Sequence, residues 1–237
     1  MKKIICCILG VLLLVISLMF SVKKVLFNKM GYVTVKGASE KFVKADMAYW
    51  TISFVNAGDD LNSIRNKNSK DLEIVIEFLK QNSIDEKEYD INPIELIDMD
   101  VKEYKDPNQN NRYIMSQGVS IITNNVDLVS MVSQKLDQLI DKNVSIKCGY
   151  GEMKPVYKFT QLNSIKQDML KEATINARKT AEQFAKDSNS KVGKIKYANQ
   201  GLFSIGSKNK SSSFGDNEAF EKDKEVRVVI TIDYWLK

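Results

Sequence analysis

The feature that most constrains this chain is an apolar run at its start. The 19 residues from Ile4 to Val22 include no charged residue, and two lysines stand on each side of them. As a helix this run would be about 28 Å long, close to the roughly 30 Å hydrocarbon core of a bilayer. Apolar residues would cover every face of that helix, which is typical of a membrane span. The sequence therefore predicts an uncleaved membrane anchor over residues 1–24 and a linker over residues 25–30.

A cleaved signal peptide is the alternative, because a basic start and an apolar stretch fit it as well. Leu18, Met19 and Phe20 stand where a cleavage site would have small residues, and Cys6 and Cys7 lie inside the apolar run. The flanking lysines balance, so charge does not set the orientation. The short N-terminal tail favours a single-pass cell-membrane protein with its C-terminal domain, residues 31–237, extracytoplasmic.

Composition excludes several function classes. The chain has no histidine, which removes the usual general base and the commonest zinc ligand. Of its 35 basic residues 31 are lysine, whereas arginine is preferred for contacts to phosphates and bases, so we expect no nucleic-acid partner. Cys148 is the only cysteine beyond the apolar run, and an intramolecular disulfide in the domain is excluded.

Hydrophobic periodicity predicts an α+β domain. Period-two alternation indicates strands, most clearly where Ala48, Trp50, Ile52 and Phe54 share one face, and three- and four-residue spacing indicates helices. The predicted strands are 32–36, 44–56, 88–97, 112–123, 194–200 and 225–236, with a mostly extended segment at 144–159, and the helices are 60–82, 126–142 and 162–188. The order β-β-α-β-β-α-β-α-β-β favours mixed or antiparallel sheets packed with three helices. A mobile loop is expected at 206–221.

Three stretches resemble the SIMPL domain family. They are VTVKGASEKFVKADMAYWTISF at Val33–Phe54, EATINARKTAEQFAKDSNSKVGKI at Glu172–Ile195, and EVRVVITIDYWL at Glu225–Leu236. The first is similar to the family's opening strands, with Gly37, Ala38, Ala45 and Asp46 at the matching positions. The second is similar to its alanine-rich third helix with the glycine that follows.

The resemblance implies a secreted or periplasmic bacterial domain, in a family where some members assemble into large oligomers and some are linked to stress tolerance. It carries no catalytic residue over to this chain. We therefore expect a non-catalytic, membrane-anchored envelope protein that forms homo-oligomers or binds an envelope protein partner. The alternative is an extracytoplasmic small-ligand binder or hydrolase with a site between subdomains.

Candidate sites in the sequence have structural interpretations that we favour, so no catalytic, cofactor-binding or metal-ligating residue is assigned. The acidic stretch Asp98, Asp100, Glu103 and Asp106 lacks the glycine and ligand spacing of a calcium loop. Ser-x-x-Lys occurs at Ser21/Lys24, Ser188/Lys191 and Ser207/Lys210, about as often as chance gives. Gly149-Tyr150-Gly151 predicts a strand bulge, Cys148 a buried side chain, and Asp46 a structural hydrogen bond at the start of a strand.

Two further expectations concern the architecture. Ala173, Ala177, Ala181 and Ala185 recur at four-residue steps, which predicts a helix ridge in close contact with a neighbour, beside Met169 and Phe184. The last strand carries aromatic residues to the chain terminus, and we expect it to offer an unpaired edge to a second copy.

Overall fold

The computed structural model describes residues 31–101, 111–147, 153–208 and 217–237. The predicted anchor over residues 1–24 and the linker over 25–30 lie outside these ranges. Among the helices in them, none has the length and apolarity needed to cross a membrane.

Helices are interleaved with groups of strands, in agreement with the α+β prediction. The strands are β1 Tyr32–Lys44, β2 Met47–Gly58, β3 Tyr89–Ile91, β4 Glu95–Asp98, β5 Tyr113–Thr123, β6 Val156–Lys158, β7 Val192–Ser207 and β8 Asp223–Leu236. The α-helices are α1 Leu61–Gln81, α2 Val126–Val132, α3 Asp137–Asp141 and α4 Leu162–Asp187. One sheet has the strand order β1-β8-β7, and the other has the order β3-β5-β2-β6 with β4 also paired to β5.

The described chain divides into two compact units. The first contains residues 31–39, Gln167–Phe203 and Arg227–Lys237, and the second contains Glu40–Lys166 and Ser204–Val226 in their described parts. Strands β1, β7 and β8 each contribute one part to each unit.

The core of the second unit lies on one face of the five-stranded sheet. The alternation predicted for β2 is confirmed, since Ala48, Trp50, Ile52 and Phe54 are at most 3% exposed. Val75, Phe78 and Leu79 of α1 and Val129 of α2 join the same buried cluster. The indole Nε1 of Trp50 donates to the carbonyl oxygen of Met153 at 3.0 Å, which satisfies the one polar group of this side chain.

Helix α1 matches its predicted bounds, but its buried face is partly polar. Asp60 caps its N-terminus by accepting a hydrogen bond from the backbone N–H of Ser63 at 2.9 Å. Leu61, the first residue of the helix, is 39% exposed, whereas Asn68 and Asp71 are buried. Asp71 tolerates burial because its carboxylate accepts from the amide of Asn56 at 2.8 Å and lies 3.7 Å from the Lys67 ammonium.

Two predicted elements of the second unit are interrupted. The strand predicted at 88–97 is broken between β3 and β4, where the three residues 92–94 lie opposite only two residues of β5. Pro93 cannot donate to a strand ladder, which explains the bulge. The helix predicted at 126–142 is divided into α2 and α3 by a 3₁₀ turn, Ser133–Lys135, and Ile140 is 57% exposed. The segment predicted as extended at 144–159 has regular strand structure only in β6 within its described part.

In the first unit, α4 packs on the sheet through the predicted alanine ridge. Ala173, Ala177, Ala181 and Ala185 are buried, as is Met169. The prediction for Phe184 is wrong, since its side chain is 52% exposed. A Cβ on Gly37 would lie 2.1 Å from the carbonyl oxygen of Ala173, so only glycine fits at this contact.

The close contact at Gly37 explains why β1 is longer than predicted. We expected the first strand to end at this glycine, but β1 continues through it to Lys44. The glycine marks the approach of a helix to the strand instead of a turn. On either side of this contact Ser39 donates to Glu172 at 2.8 Å and Asn176 donates to the carbonyl oxygen of Ala38 at 2.9 Å.

The last two strands also differ from prediction in extent or place. Strand β7 covers residues 192–207 instead of 194–200, so it includes the start of the loop predicted at 206–221. Strand β8 alternates as predicted, with Val226, Val228, Ile230, Ile232 and Tyr234 buried. It is the middle strand of its sheet, so the expectation of an unpaired edge at the last strand is wrong.

Candidate interaction surface

The outer edge of β7 is the most exposed strand segment in the first unit. In the order β1-β8-β7 this strand has β8 on one side and no neighbouring strand among the described residues on the other. All seven residues from Lys194 to Gln200 are exposed, although successive side chains of a strand point to opposite faces. Neither face of this segment is therefore covered within the described chain, and its edge backbone groups are available to another strand.

Large apolar side chains lie along this edge. Ile195 is 50% exposed, Tyr197 57% and Leu202 94%. We call these three residues and the β7 backbone between them the β7 edge surface. Isolated exposed apolar residues are ordinary, but three on one edge strand with no cover are typical of a site that another chain occupies.

Lys196 joins the β7 edge surface to an aromatic pair on the same sheet. Its ammonium lies 3.3 Å from the ring centroid of Tyr32 and 5.0 Å from that of Trp235. The two rings meet edge to face, with centroids 6.3 Å apart and an interplanar angle of 79°. Cation–π attraction holds the ammonium of Lys196 at these two rings, so the lysine side chain extends across the sheet.

Two lysines on β7 also limit what the edge can bind. Lys194 and Lys196 lie in the exposed segment, and the segment has no acidic residue. Lysines on an edge strand are a common protection against uncontrolled pairing, since like charges repel when two edges meet. We expect such an edge to associate reversibly and to be sensitive to ionic strength.

The described residues of the acidic stretch, Asp98 and Asp100, form salt bridges. Arg112 lies 3.0 Å from the carboxylate of Asp98 and 3.1 Å from that of Asp100. The hydrogen bond from Arg112 to Asp98 raises the pKa of the guanidinium above its ordinary value. Glu103 and Asp106 lie outside the described residues. Within the described ranges no group of three or more His, Cys, Asp or Glu could hold a metal ion.

The serine and aspartate candidates have structural partners. Ser188 Oγ donates to the carbonyl oxygen of Phe184 at 3.0 Å, so this carbonyl in the last turn of α4 has a hydrogen-bond donor. Ser207 Oγ donates to Glu221. The structural hydrogen bond expected of Asp46 is present threefold: its carboxylate accepts from the backbone N–H groups of Thr160 at 2.7 Å and Gln161 at 3.1 Å, and from Thr160 Oγ1 at 3.2 Å.

The remaining candidates fall outside the described residues. These are Cys148 with the Gly149-Tyr150-Gly151 segment, the pair Ser21/Lys24, and Lys210 of the pair Ser207/Lys210. The β7 edge surface was missed from the sequence, because the exposed strand reads as a short element before a loop. Its composition of alternating lysine and apolar residues was the available signal.

These features define a class of protein: an α+β domain with an alanine-ridged helix on a three-stranded sheet, in which the outer strand β7 is exposed on both faces. The sequence model of the SIMPL family, described as proteins of unknown function (DUF541), matches residues 33–234. The match covers nearly the whole described chain, and the protein belongs to the SIMPL family. A comparison with curated proteins found no match.

Proposed function

We propose that this protein is a non-catalytic, membrane-anchored bacterial envelope protein whose SIMPL domain self-associates through the β7 edge surface, outside the cell membrane, in envelope or stress tolerance. The observation that carries the proposal is the long exposed strand at the edge of the three-stranded sheet. The apolar run from Ile4 to Val22 supports the anchor.

Edge exposure favours strand addition as the mode of binding. A partner strand at β7 would pair with backbone N–H and C=O groups that have no strand neighbour in the described chain. Ile195, Tyr197 and Leu202 would supply the apolar contacts that the main-chain hydrogen bonds lack. The backbone groups and the apolar side chains lie on one continuous segment of β7, so the partner that would match them is an extended strand.

A second copy of the chain is the partner that we propose. When two β7 edges meet across a two-fold axis, each contributes the same apolar side chains, and two three-stranded sheets become one six-stranded sheet. An anchored chain meets other copies in the plane of one membrane, which raises their effective concentration. The SIMPL resemblance, which implies assembly for some relatives, supports the same partner.

The test is the oligomeric state of the full-length chain purified in detergent. We expect sedimentation velocity to give a species larger than a monomer at micromolar concentration, with the fraction of monomer falling as salt screens the lysines. Leu202→Lys should shift the chain to monomer, because it places a charge on the most exposed apolar position of the edge.

Ile175→Glu is the matched control, since Ile175 is 45% exposed in the same unit but lies on α4. It should leave the oligomer intact. A wild-type chain that stays monomeric at every concentration, or equal loss of association in both variants, would remove the proposed role of β7.

A further inference from the structure

A cavity in the second unit has the size and lining of a small-molecule site. Its volume is about 490 Å³, within the range of roughly 300 to 1,000 Å³ common for ligand pockets. Val156, Tyr157, Phe159, Ile205 and Ala219 form most of its wall. Tyr157 is buried and Ile205 is 39% exposed, so the cavity has a closed side and an open side.

One buried lysine belongs to this wall. Lys224 is 4% exposed, and its ammonium donates a hydrogen bond to the backbone carbonyl oxygen of Glu218. An ammonium has three N–H donors, and among the described residues the carbonyl oxygen of Glu218 is the one acceptor that Lys224 has. No carboxylate of the described chain lies within ion-pair distance of it. A buried charge in this state has lost its water without full replacement.

The electrostatics around Lys224 agree with this geometry. Burial lowers the pKa of its ammonium, and the nearby carboxylates of Glu221 and Glu218 offset only part of that effect. Neither carboxylate forms an ion pair with Lys224 in the described chain: Glu221 accepts a hydrogen bond from Ser207, and Glu218 is exposed. Lys158, also in the wall, lies with its ammonium 4.7 Å from the ring centroid of Tyr49.

An amphipathic acid would complete the site. Its carboxylate would accept from the two remaining donors of Lys224 and neutralise the buried charge. Its hydrocarbon body would occupy the space between the aliphatic and aromatic side chains, where it loses contact with water. Glu218 and Glu221 disfavour polyanions such as phosphates, which a single buried ammonium could not balance.

We propose that this cavity binds a small monocarboxylate with an apolar body, with the carboxylate held by Lys224. This binding activity is independent of the β7 edge surface, which belongs to the other unit, so either proposal can fail alone. The probe is 3-phenylpropanoate, and 3-phenylpropanol is the matched molecule without the charge.

Ligand-detected NMR titration of the full-length chain in detergent, with a detergent blank, measures both molecules. We expect 3-phenylpropanoate to bind saturably and at least tenfold more tightly than the alcohol. Lys224→Met should weaken the acid at least tenfold and leave the alcohol unchanged. Lys171→Met, at an exposed position of α4, should change neither.

Ala219→Trp provides a second variant that retains the lysine and fills the cavity, and it should abolish binding of both molecules. A melting curve of each variant shows that it is folded before the titration is interpreted. Absence of saturable binding would overturn the proposal. Equal affinity for acid and alcohol, or an unchanged affinity for the acid in folded Lys224→Met, would do the same.

Discussion

Asp127, in the first turn of α2, accepts hydrogen bonds from two lysines that are distant in the sequence. Lys44 Nζ lies 2.5 Å from one carboxylate oxygen and Lys222 Nζ lies 3.3 Å from the other. The hydrogen bonds from Lys44 and then Lys222 lower the pKa of Asp127 from its ordinary value of 3.8. Close by, the backbone N–H of Ala45 donates to the carbonyl oxygen of Lys222 at 2.7 Å, so this carboxylate holds a junction of three chain segments.

We predict that Asp127→Asn lowers the melting temperature at neutral pH. The folded-state pKa is lowered, so this stabilisation is complete above about pH 4, the unfolded-state value. It is lost as the pH falls through the lower pKa of the folded state. The difference between wild type and Asp127→Asn should therefore shrink below that pH in low-salt melting curves.

Asp137→Asn is the control, because Asp137 is also an exposed residue in the first turn of a short helix but has no such lysine partners in the described chain. A similar destabilisation in both variants would assign the effect to the helix dipole alone.

The two aspartates show which residue roles can be predicted from sequence. Asp46 stands directly before a clear strand, so a structural hydrogen bond at that position followed from local pattern. The role of Asp127 depends on Lys44 and Lys222, which are brought to it only by the fold. Lys224 was likewise invisible, because the alternation of β8 begins beside it and lysine usually lies outside a core.

At the scale of the element, α4 combines a predicted pattern with an unpredicted neighbour. Four-residue alanine spacing indicated a close contact, and the partner is β1 at Gly37.

We predict that Ala177→Leu costs roughly 1 to 3 kcal/mol in the free energy of unfolding, because the larger side chain has no space beside this strand. Lys179→Leu, at an exposed position of the same helix, should be nearly neutral. Urea denaturation of both variants decides the matter, and equal midpoints would contradict the contact.

Element types were predictable where the hydrophobic period stays regular over a long stretch of sequence, as in α1, α4, β2 and β8. The break between α2 and α3 was not predictable, because it leaves the helical spacing of apolar residues intact. Pro93 was a visible signal for the interruption between β3 and β4. The full length of β7 was not predictable, because lysine and apolar residues alternate only from Lys194 to Tyr197 and residues 198–207 show no such alternation.

For the whole molecule, the first question is its placement relative to the membrane. We predict that residues 4–22 remain as an uncleaved span and that residues 25–237 lie outside the cell. Protease added to intact protoplasts should then digest the domain, and N-terminal sequencing should find no mature form that begins after Phe20. Protection of the domain would reverse the orientation, and a new N-terminus there would establish a cleaved signal.

The order of strands was the least predictable property of the whole molecule. The period-two alternation of apolar residues predicts that β8 is a strand. Its position between β1 and β7 is not indicated by any local feature of the sequence. The aromatic residues at the end of the last strand predicted an unpaired edge there, whereas the buried apolar residues of β8 suit the middle of a sheet. Among the described strands of this sheet, the outer positions belong to β1 and β7.

The central place of β8 determines when the sheet can be completed as the chain is made. Its neighbour β1 is the first described strand, and β8 is the last, so nearly all of the chain must be synthesised before the two can pair. Until then β1 and β7 have no strand between them, and a chain emerging from N- to C-terminus keeps its first strand unpaired throughout. Contacts between segments so far apart form late and slowly. The native sheet can therefore form only after β8 has been synthesised.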